Sequence, residues 1–305
     1  MLAFLQTELI PKIPLAEWTE SGVDWITDTF DGAFDLLDTV IDIIIGSLEF
    51  LLITPPALLM VAILGVIAFF LAGWRVALFT VLGLLFVISL DLWEAAMSTL
   101  ALVLAATVVA LVIGIPIGII AAKSETVEMI IRPILDVAQT MPAFVYLVPI
   151  VVLLGIGAGP ALIATVVFAM PPAVRLTMLG IQQVPKDTVE AAHAFGATSW
   201  QTLFKVELPL SLKTIMAGVN QVIMLSLSMV VIAGLAGAGG LGEPVVTGLS
   251  QLDVGVSFVG GVGIVVIAIM LDRITRAMAK QDGGGGPRIF SRRKGSGTGA
   301  PEGEA

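Results

Sequence analysis

Long stretches without a charged residue constrain this chain more than any other feature of its sequence. Uncharged stretches run over residues 55–73, 95–122, 137–174, 214–242 and 254–271. An α-helix needs about 20 apolar residues to cross the hydrocarbon core of a bilayer. Hydrophobic residues make up 57% of the chain and charged residues 13%, whereas soluble domains average about 25% charged. The mean hydropathy is +1.04. The sequence therefore predicts an all-α membrane protein.

The uncharged stretches predict seven transmembrane helices. Residues 137–174 are too many for one helix, and the segment Gly155–Pro160 divides them. The predicted spans lie near residues 55–73, 74–91, 94–122, 134–155, 160–182, 211–235 and 254–272. If the N-terminus is extracytoplasmic, every lysine and arginine except Lys12 falls on or near the cytoplasmic side. The positive-inside rule therefore predicts an extracytoplasmic N-terminus and a cytoplasmic C-terminus.

Both ends of the chain differ in character from the apolar region. Residues 1–54 carry ten acidic residues and one lysine, and between residues 24 and 42 acidic and apolar residues alternate with helical period. This pattern predicts an extracytoplasmic amphipathic helix on the outer membrane surface or against the first spans. Whether that helix is a scaffold or a sensor stays open. Residues 281–305 are rich in glycine and basic residues and predict a disordered cytoplasmic tail.

Several function classes conflict with the composition. A net charge of −9 argues against a nucleic-acid partner. With no cysteine and one histidine, His193, we predict no metal site, no catalytic residue and no cofactor in this chain. The chain lacks the G-x-x-x-x-G-K-[ST] phosphate loop. Gly237–Gly242 matches G-x-G-x-x-G but follows a predicted transmembrane helix, so a flexible or closely packed loop is favoured over nucleotide binding.

The polar segment between the fifth and sixth spans predicts a helix–turn–helix. Asp187 with Glu190 has the spacing of a capping box that begins a first helix, and Gly196 suits the left-handed position that ends it. Thr198 with Gln201 repeats the capping pattern for a second helix. Pro209 is expected to end that second helix and to begin the next span.

The same segment resembles the EAA loop of ABC importer permeases. The matching residues are Glu190, Ala191, Ala192, Gly196, Val206, Leu208 and Pro209. Over roughly residues 90–280 the chain is also similar to the permease subunit of glycine betaine/proline betaine importers, a binding-protein-dependent transport family of the inner membrane. The segments that carry this similarity are residues 139–149, 168–177, 216–221 and 227–233. The acidic N-terminal region fits that family in character only.

The resemblance implies a complete architecture and a set of partners. Residues 55–91 would form two peripheral spans, and residues 92–280 the five-helix type I permease core with its cytoplasmic EAA loop at residues 185–209. Two permease copies would form the pore in the inner membrane of a bacterium. Two cytoplasmic ATPase subunits, which bind ATP and Mg, would dock on the loops, and an extracytoplasmic binding protein would deliver substrate. Glu190 would pair with a basic or amide group of the ATPase.

The resemblance also implies a substrate class, namely small quaternary ammonium osmoprotectants such as glycine betaine and proline betaine. Choline and dimethylsulfoniopropionate are alternatives within the same importer type. An ion-coupled carrier or an osmotically gated channel is an alternative of another class. It is disfavoured because the predicted spans carry almost no ionisable residues, Arg175 being an exception within reach of the cytoplasmic side.

Further residues are candidates for packing, hinge or pore roles. Gly114–Gly118 has the G-x-x-x-G spacing of closely packed helices, and Pro116 within it allows a kink instead. The pairs Met141–Pro142 and Pro171–Pro172 are expected to break spans four and five, either as ordinary kinks or as hinges or pore-lining bends. Possible pore contacts are Phe144, Tyr146, Trp93 and Asn220. His193 is expected to be a solvated or ATPase-facing residue.

Overall fold

The computed structural model describes residues 13–281, and every regular element within them is a helix. In chain order these are α1 (Leu15–Ile53), α2 (Ala57–Ala72), α3 (Trp74–Ser89), α4 (Trp93–Lys123), α5 (Glu125–Thr140), α6 (Ala143–Leu154), α7 (Ala158–Gln182), α8 (Lys186–Ala194), α9 (Ser199–Thr202), a π-turn (Leu203–Glu207), α10 (Leu208–Ser228), α11 (Val230–Leu235), α12 (Gly242–Gln251) and α13 (Val254–Gln281). The predicted all-α class is confirmed. Lys12 and residues 282–305 of the predicted tail lie outside the described residues.

Helices α4, α7 and α10 form the centre of the molecule. Helix α7 packs along α4 on one side and along α10 on the other. Two buried apolar clusters surround them: one joins α1, α4, α6, α7, α10 and α11, and the other joins α2, α3, α4, α10 and α13. Helices α2 and α3 pack mainly on each other and on α13. They therefore lie at the periphery of the bundle.

The G-x-x-x-G spacing lies where α4 and α7 approach each other closely. A Cβ atom added at Gly114 would lie 2.8 Å from Ala173 Cβ, and one added at Gly118 would lie 2.7 Å from both Thr177 Cβ and the Val174 carbonyl oxygen. Pro116 lies within α4, which continues through it to Lys123. The packing interpretation of this motif is confirmed, because only residues without a side chain let α4 and α7 approach so closely.

Helix α7 continues through Pro171 and Pro172, so these prolines do not divide span five into two helices. Both prolines are buried within one helix from Ala158 to Gln182. A proline removes a backbone hydrogen bond, but transmembrane helices tolerate this where neighbouring helices enclose the site. Here the enclosure comes from α4, through Gly114, and from α10, where Gly218 lies against the Pro172 carbonyl group.

Span four, predicted near residues 134–155 with a break at Met141–Pro142, is two helices, and the predicted break is confirmed. Helices α5 and α6 meet at an angle of 95°. The bend occurs at Met141, whose extended backbone (φ −70°, ψ 134°) is the conformation that a following proline, Pro142, imposes. Helix α6 has 12 residues, so at 1.5 Å per residue it is too short to cross a bilayer alone.

The number of spans depends on how these bent pairs are counted. Four helical stretches are long and apolar enough to cross a membrane: residues 93–123, 158–182, 199–235 and 254–278. Two bent pairs, α1 with α2 and α5 with α6, raise the number to six if each is one span. Helix α3 is apolar but has only 16 residues. The seven predicted spans are therefore roughly compatible with these apolar helices. The predicted fourth span differs in shape, because it corresponds to the bent pair of α5 and α6.

Helix α1 packs on the bundle but lies at a steep angle to α2. It meets α2 at 102°, and its helical backbone is interrupted at Phe30. Its second half contributes buried Ile41, Ile45 and Leu52 to the core. Its first half leaves Trp18 and Trp25 more than 60% exposed. The first half of α1 lines a groove together with α6, and the second half packs into the core.

The glycine-rich loop between α11 and α12 is a closely packed turn. Gly237, Gly239 and Gly240 have positive φ angles of 82°, 70° and 67°. A Cβ atom at Gly240 would lie 2.6 Å from Thr99 Oγ1, and that oxygen accepts a hydrogen bond from the Leu241 backbone N–H at 2.8 Å. The closely packed interpretation of the G-x-G-x-x-G segment is confirmed, and α4 is the element that holds it.

We expect Thr99→Val to destabilise the protein by about 1–3 kcal/mol, because it leaves the buried Leu241 N–H without an acceptor. Thr80→Val is the matched control. The Thr80 hydroxyl is equally buried but has no hydrogen-bond partner among the described residues, so its removal should cost little. Thermal unfolding of both variants in detergent tests this. Equal midpoints for the two variants would contradict the assigned role of the Thr99 hydrogen bond.

Candidate functional site

The segment at residues 185–209, hereafter the coupling loop, begins with the exposed helix α8. Pro185 precedes its first turn, and the Pro185 carbonyl accepts from the Thr188 N–H at 3.0 Å. Asp187 therefore lies inside the first turn and makes no capping hydrogen bond, so the predicted Asp187–Glu190 capping box is wrong. The helix starts earlier because proline fixes the φ angle at which the chain enters it. Glu190 and Ala191 are exposed, and Ala192 is half-buried.

The turn after α8 follows the prediction for Gly196. Its φ angle is +84°, a left-handed conformation that glycine adopts without steric cost. The Gly196 N–H donates to the His193 carbonyl at 2.9 Å, and the Ala197 N–H donates to the Ala192 carbonyl at 3.0 Å. The exposed His193 ring places Nδ1 3.0 Å from the Ala197 carbonyl oxygen. The turn is thus closed by backbone groups on both sides of Gly196.

The second half of the loop begins with the predicted capping box. The Thr198 hydroxyl accepts from the Gln201 N–H at 3.3 Å, and the Gln201 side-chain oxygen accepts from the Thr198 N–H at 2.9 Å. This prediction is confirmed. The reciprocal pair satisfies two backbone donors that a helix start leaves free.

Pro209 lies in the first turn of α10, so the predicted start of the next span is confirmed, but the predicted end of the preceding helix is wrong. Residues 199–235 form one continuous apolar stretch that includes α9, the π-turn, α10 and α11. A proline inside an α-helix cannot donate to the carbonyl four residues earlier and clashes with it. The π-turn precedes Pro209, and in it the Leu208 N–H donates to the Leu203 carbonyl five residues back. The wider turn accommodates the proline without ending the helix.

Aromatic side chains cover the exposed surface of the coupling loop. Phe195 is 93% exposed. Trp200 and Phe204 are also exposed, and their rings stack with centroids 5.6 Å apart. Sequence reasoning missed this surface, although the i, i+4 spacing of Trp200 and Phe204 was a usable signal. Exposed aromatic residues beside Glu190 and Ala191 form a surface typical of protein contacts.

An ion pair with a buried carboxylate joins the coupling loop to α4. The Glu207 carboxylate accepts a hydrogen bond from Lys123 Nζ, 84 positions away in sequence. The Glu207 side chain is 6% exposed and the Lys123 side chain 44%. Sequence reasoning missed this pair and took Lys123 only as a positive-inside charge. Lys123 is the last residue of α4, where a cation also interacts favourably with the helix dipole.

Two further polar contacts join α5 to α7 at the same end of the bundle. Arg175 donates to the Asp136 carboxylate at 2.6 Å, and Gln182 Nε2 donates to Glu128 Oε2 at 2.9 Å. Arg175 is therefore paired with a carboxylate rather than isolated in its span. These contacts hold the amphipathic helix α5 beside the end of α7 from which the coupling loop leaves.

The remaining candidate residues divide between the bend and the interior. Met141 and Pro142 form the bend between α5 and α6, and Phe144 follows them with half of its side chain exposed. Tyr146 and Asn220 each bury a side-chain oxygen that has no hydrogen-bond partner among the described residues. Pro171 and Pro172 lie buried inside α7. The predicted hinge and pore roles stay predictions.

Together these features define a class of protein: a polytopic helical membrane protein that presents a helix–turn–helix between two central helices. The family described as binding-protein-dependent transport system inner membrane component matches residues 114–281. The chain belongs to this family, and the resemblance inferred from the coupling loop is confirmed.

Individual relatives extend the similarity over nearly the whole chain. The chain is 49% identical to the glycine betaine transport system permease protein OpuAB of Bacillus subtilis (strain 168), over 88% of this chain and 95% of the relative. It is 48% identical to the glycine betaine/proline betaine transport system permease protein ProW of Escherichia coli (strain K12), over 90% of this chain and 78% of the relative. Its fold is similar to a chain of the inward-facing MetNI methionine ABC transporter, with a TM-score of 0.54, 25% identity and coverage of 61% of this chain and 95% of that one.

Proposed function

We propose that the chain is the permease subunit of an ATP-driven importer for small quaternary ammonium osmoprotectants, with glycine betaine and proline betaine as substrates. The observation that carries this proposal is the exposed coupling loop, which has the EAA residue pattern and lies at one end of an apolar bundle. Identity near 48% with permeases named for these two substrates supports the substrate class.

The coupling loop would dock on a cytoplasmic ATPase through α8. Glu190 and Ala191 are exposed, and Glu190 has no ion-pair partner within the described residues. Its carboxylate is therefore available to a basic or amide group of the ATPase. Ala192 and Gly196 shape the turn, and Leu208 with Pro209 continue it into α10. ATP and Mg would bind to the ATPase, and this chain would carry out no hydrolysis itself.

The assembly would contain two copies of this chain, two ATPases and an extracytoplasmic binding protein in the inner membrane of a bacterium. The distribution of basic residues supports an extracytoplasmic N-terminus and a cytoplasmic coupling loop. Residues 1–54 would lie outside, residues 55–91 would be peripheral to the five-helix core at 92–280, and residues 281–305 would follow it in the cytoplasm.

The translocation path would run along the interior helices. Tyr146 and Asn220 bury polar atoms without partners, and Phe144 supplies an aromatic face of the kind that attracts quaternary ammonium groups. The bend at Met141 and Pro142 would act as a hinge between α5 and α6. Pro171 and Pro172 would weaken the backbone of α7 without breaking it.

Transport in proteoliposomes tests this function directly. The permease would be reconstituted with the ATPase and the binding protein encoded beside it, and labelled glycine betaine, choline and dimethylsulfoniopropionate would be compared with and without ATP. We expect ATP-dependent accumulation of glycine betaine above its external concentration. Accumulation of choline or dimethylsulfoniopropionate alone would change the substrate. Accumulation without ATP would instead support a carrier or a channel.

A further inference from the structure

Helix α8 is attached to the rest of the chain at few points. None of its side chains is buried, and its main neighbouring elements among the described residues are α9 and the π-turn. In contrast, Thr202, Leu203 and Glu207 around the π-turn are all buried. Residues 183–185 also join α8 directly to the end of α7. A displacement of α8 therefore reaches the bundle through this short link to α7 and through the π-turn.

The π-turn has two connections to the central helices. One is covalent, because the turn continues directly into α10. The other is the ion pair between Glu207 and Lys123 at the end of α4. A carboxylate as buried as that of Glu207 requires a charged or hydrogen-bonding partner. Lys123 is the partner that the structure provides, so the end of α4 is tied to the π-turn.

Lys123 is the last residue of α4, and α5 begins two residues later at Glu125. The next residue, Ser124, caps α5 by accepting a hydrogen bond from the Val127 N–H at 3.4 Å. Helix α4 itself packs along α7, including the close approach at Gly118. A movement of Lys123 is therefore transmitted to α4 and to the start of α5, which leads to the bend at Pro142.

We infer that Lys123 and Glu207 are positioning residues for transport coupling, and that their ion pair transmits the movement of the coupling loop to α4 and α5. This inference rests on the proposed function, in which an ATPase moves that loop. Without the pair, the loop would still dock and would still move α10. The π-turn would still be joined to α10 by the chain but no longer to the end of α4 by an ion pair, so the movements of α4 and α10 would be less tightly coupled.

The test compares substrate uptake with ATP hydrolysis in the same proteoliposomes that contain the complete transporter. We expect Glu207→Gln and Lys123→Gln to retain assembly with the ATPase and to retain ATP hydrolysis. The number of substrate molecules taken up per ATP hydrolysed should fall at least about fivefold. This is the lower end of the typical range by which one coupled site affects another. Lys123→Arg keeps the charge and should retain the wild-type ratio.

Arg132→Gln is the matched control, because it removes an exposed ion pair with Glu128 on the neighbouring helix α5 and should leave the ratio unchanged. Exchanging the two charges in the double variant K123E/E207K should recover part of the ratio lost in the single variants. Wild-type ratios in both single variants would overturn the inference. A parallel loss of uptake and hydrolysis, or loss of the complex, would show a purely structural role and would also overturn it. Failure of the wild-type complex to accumulate substrate with ATP would instead refute the proposed function.

Discussion

Replacing Glu190 by lysine is expected to abolish ATP-driven uptake while the protein still folds and inserts into membranes. The folded state should tolerate the change because Glu190 is exposed and takes no part in the capping of α8. We expect the loss of uptake to result from weaker binding to the ATPase. There the new lysine would face the basic or amide group that the Glu190 carboxylate would otherwise contact. Placing like charges opposite each other across an interface costs several kcal/mol, and each 1.4 kcal/mol is tenfold in affinity. Docking should therefore weaken at least about 100-fold.

Uptake in proteoliposomes and co-purification of the ATPase measure this effect. Glu125→Lys is the control, since Glu125 is an exposed acid in the first turn of the adjacent helix α5 and gives the same change in net charge. We expect that variant to bind the ATPase and to transport as the wild type does. Full uptake by Glu190→Lys would remove the basis for assigning α8 as the coupling helix.

Replacing Gly118 by valine is expected to have the largest effect on stability of any substitution considered. A Cβ atom there would lie 2.7 Å from Thr177 Cβ and from the Val174 carbonyl oxygen. Carbon atoms are in favourable contact at about 3.5–4.0 Å, so α4 and α7 would have to separate by about 1 Å. Overpacking usually costs about 1–3 kcal/mol. We expect the upper end of that range, because the Val174 carbonyl belongs to the backbone and cannot avoid the clash by rotating a side chain.

Thermal unfolding in detergent compares this variant with Gly261→Val. Gly261 also lies inside a long apolar helix, α13, but no atom would lie within 4 Å of an added Cβ. The two substitutions change helix propensity equally, so the difference between their unfolding midpoints reports the contact between α4 and α7. Similar midpoints would contradict the close packing assigned to Gly114 and Gly118.

Local signals in the sequence were reliable where neighbouring residues alone decide the structure. The left-handed turn at Gly196 and the capping box of Thr198 with Gln201 were predicted correctly, because each depends on contacts within a few residues. The predicted capping box of Asp187 and Glu190 was wrong for an equally local reason, since Pro185 begins the helix before Asp187. The bend at Met141 and Pro142 lay in a recognised segment, but its angle of 95° was not predictable from composition.

Prolines lie inside continuous helical stretches at two places because the structure around them overrides local preference. Pro171 and Pro172 remain within α7 because α4 and α10 enclose that part of the helix. Pro209 does not end a helix because the π-turn changes the hydrogen-bond register before it. In both cases proline's tendency to interrupt a helix was identified correctly. The structure around the proline, namely the packed helices at Pro171 and Pro172 and the π-turn before Pro209, decided that the helix continued.

The sequence by itself determined the class of this protein and its likeness to a transport family. Uncharged apolar stretches require a membrane whatever the topology, and the residue pattern of the coupling loop is contiguous in the chain. Only the tertiary structure decided how that loop is attached. The pairs Lys123–Glu207 and Arg175–Asp136 join residues that are 84 and 39 positions apart. No local pattern specifies such pairs, since they form only when packing of α4, α5, α7 and α10 brings the charges together.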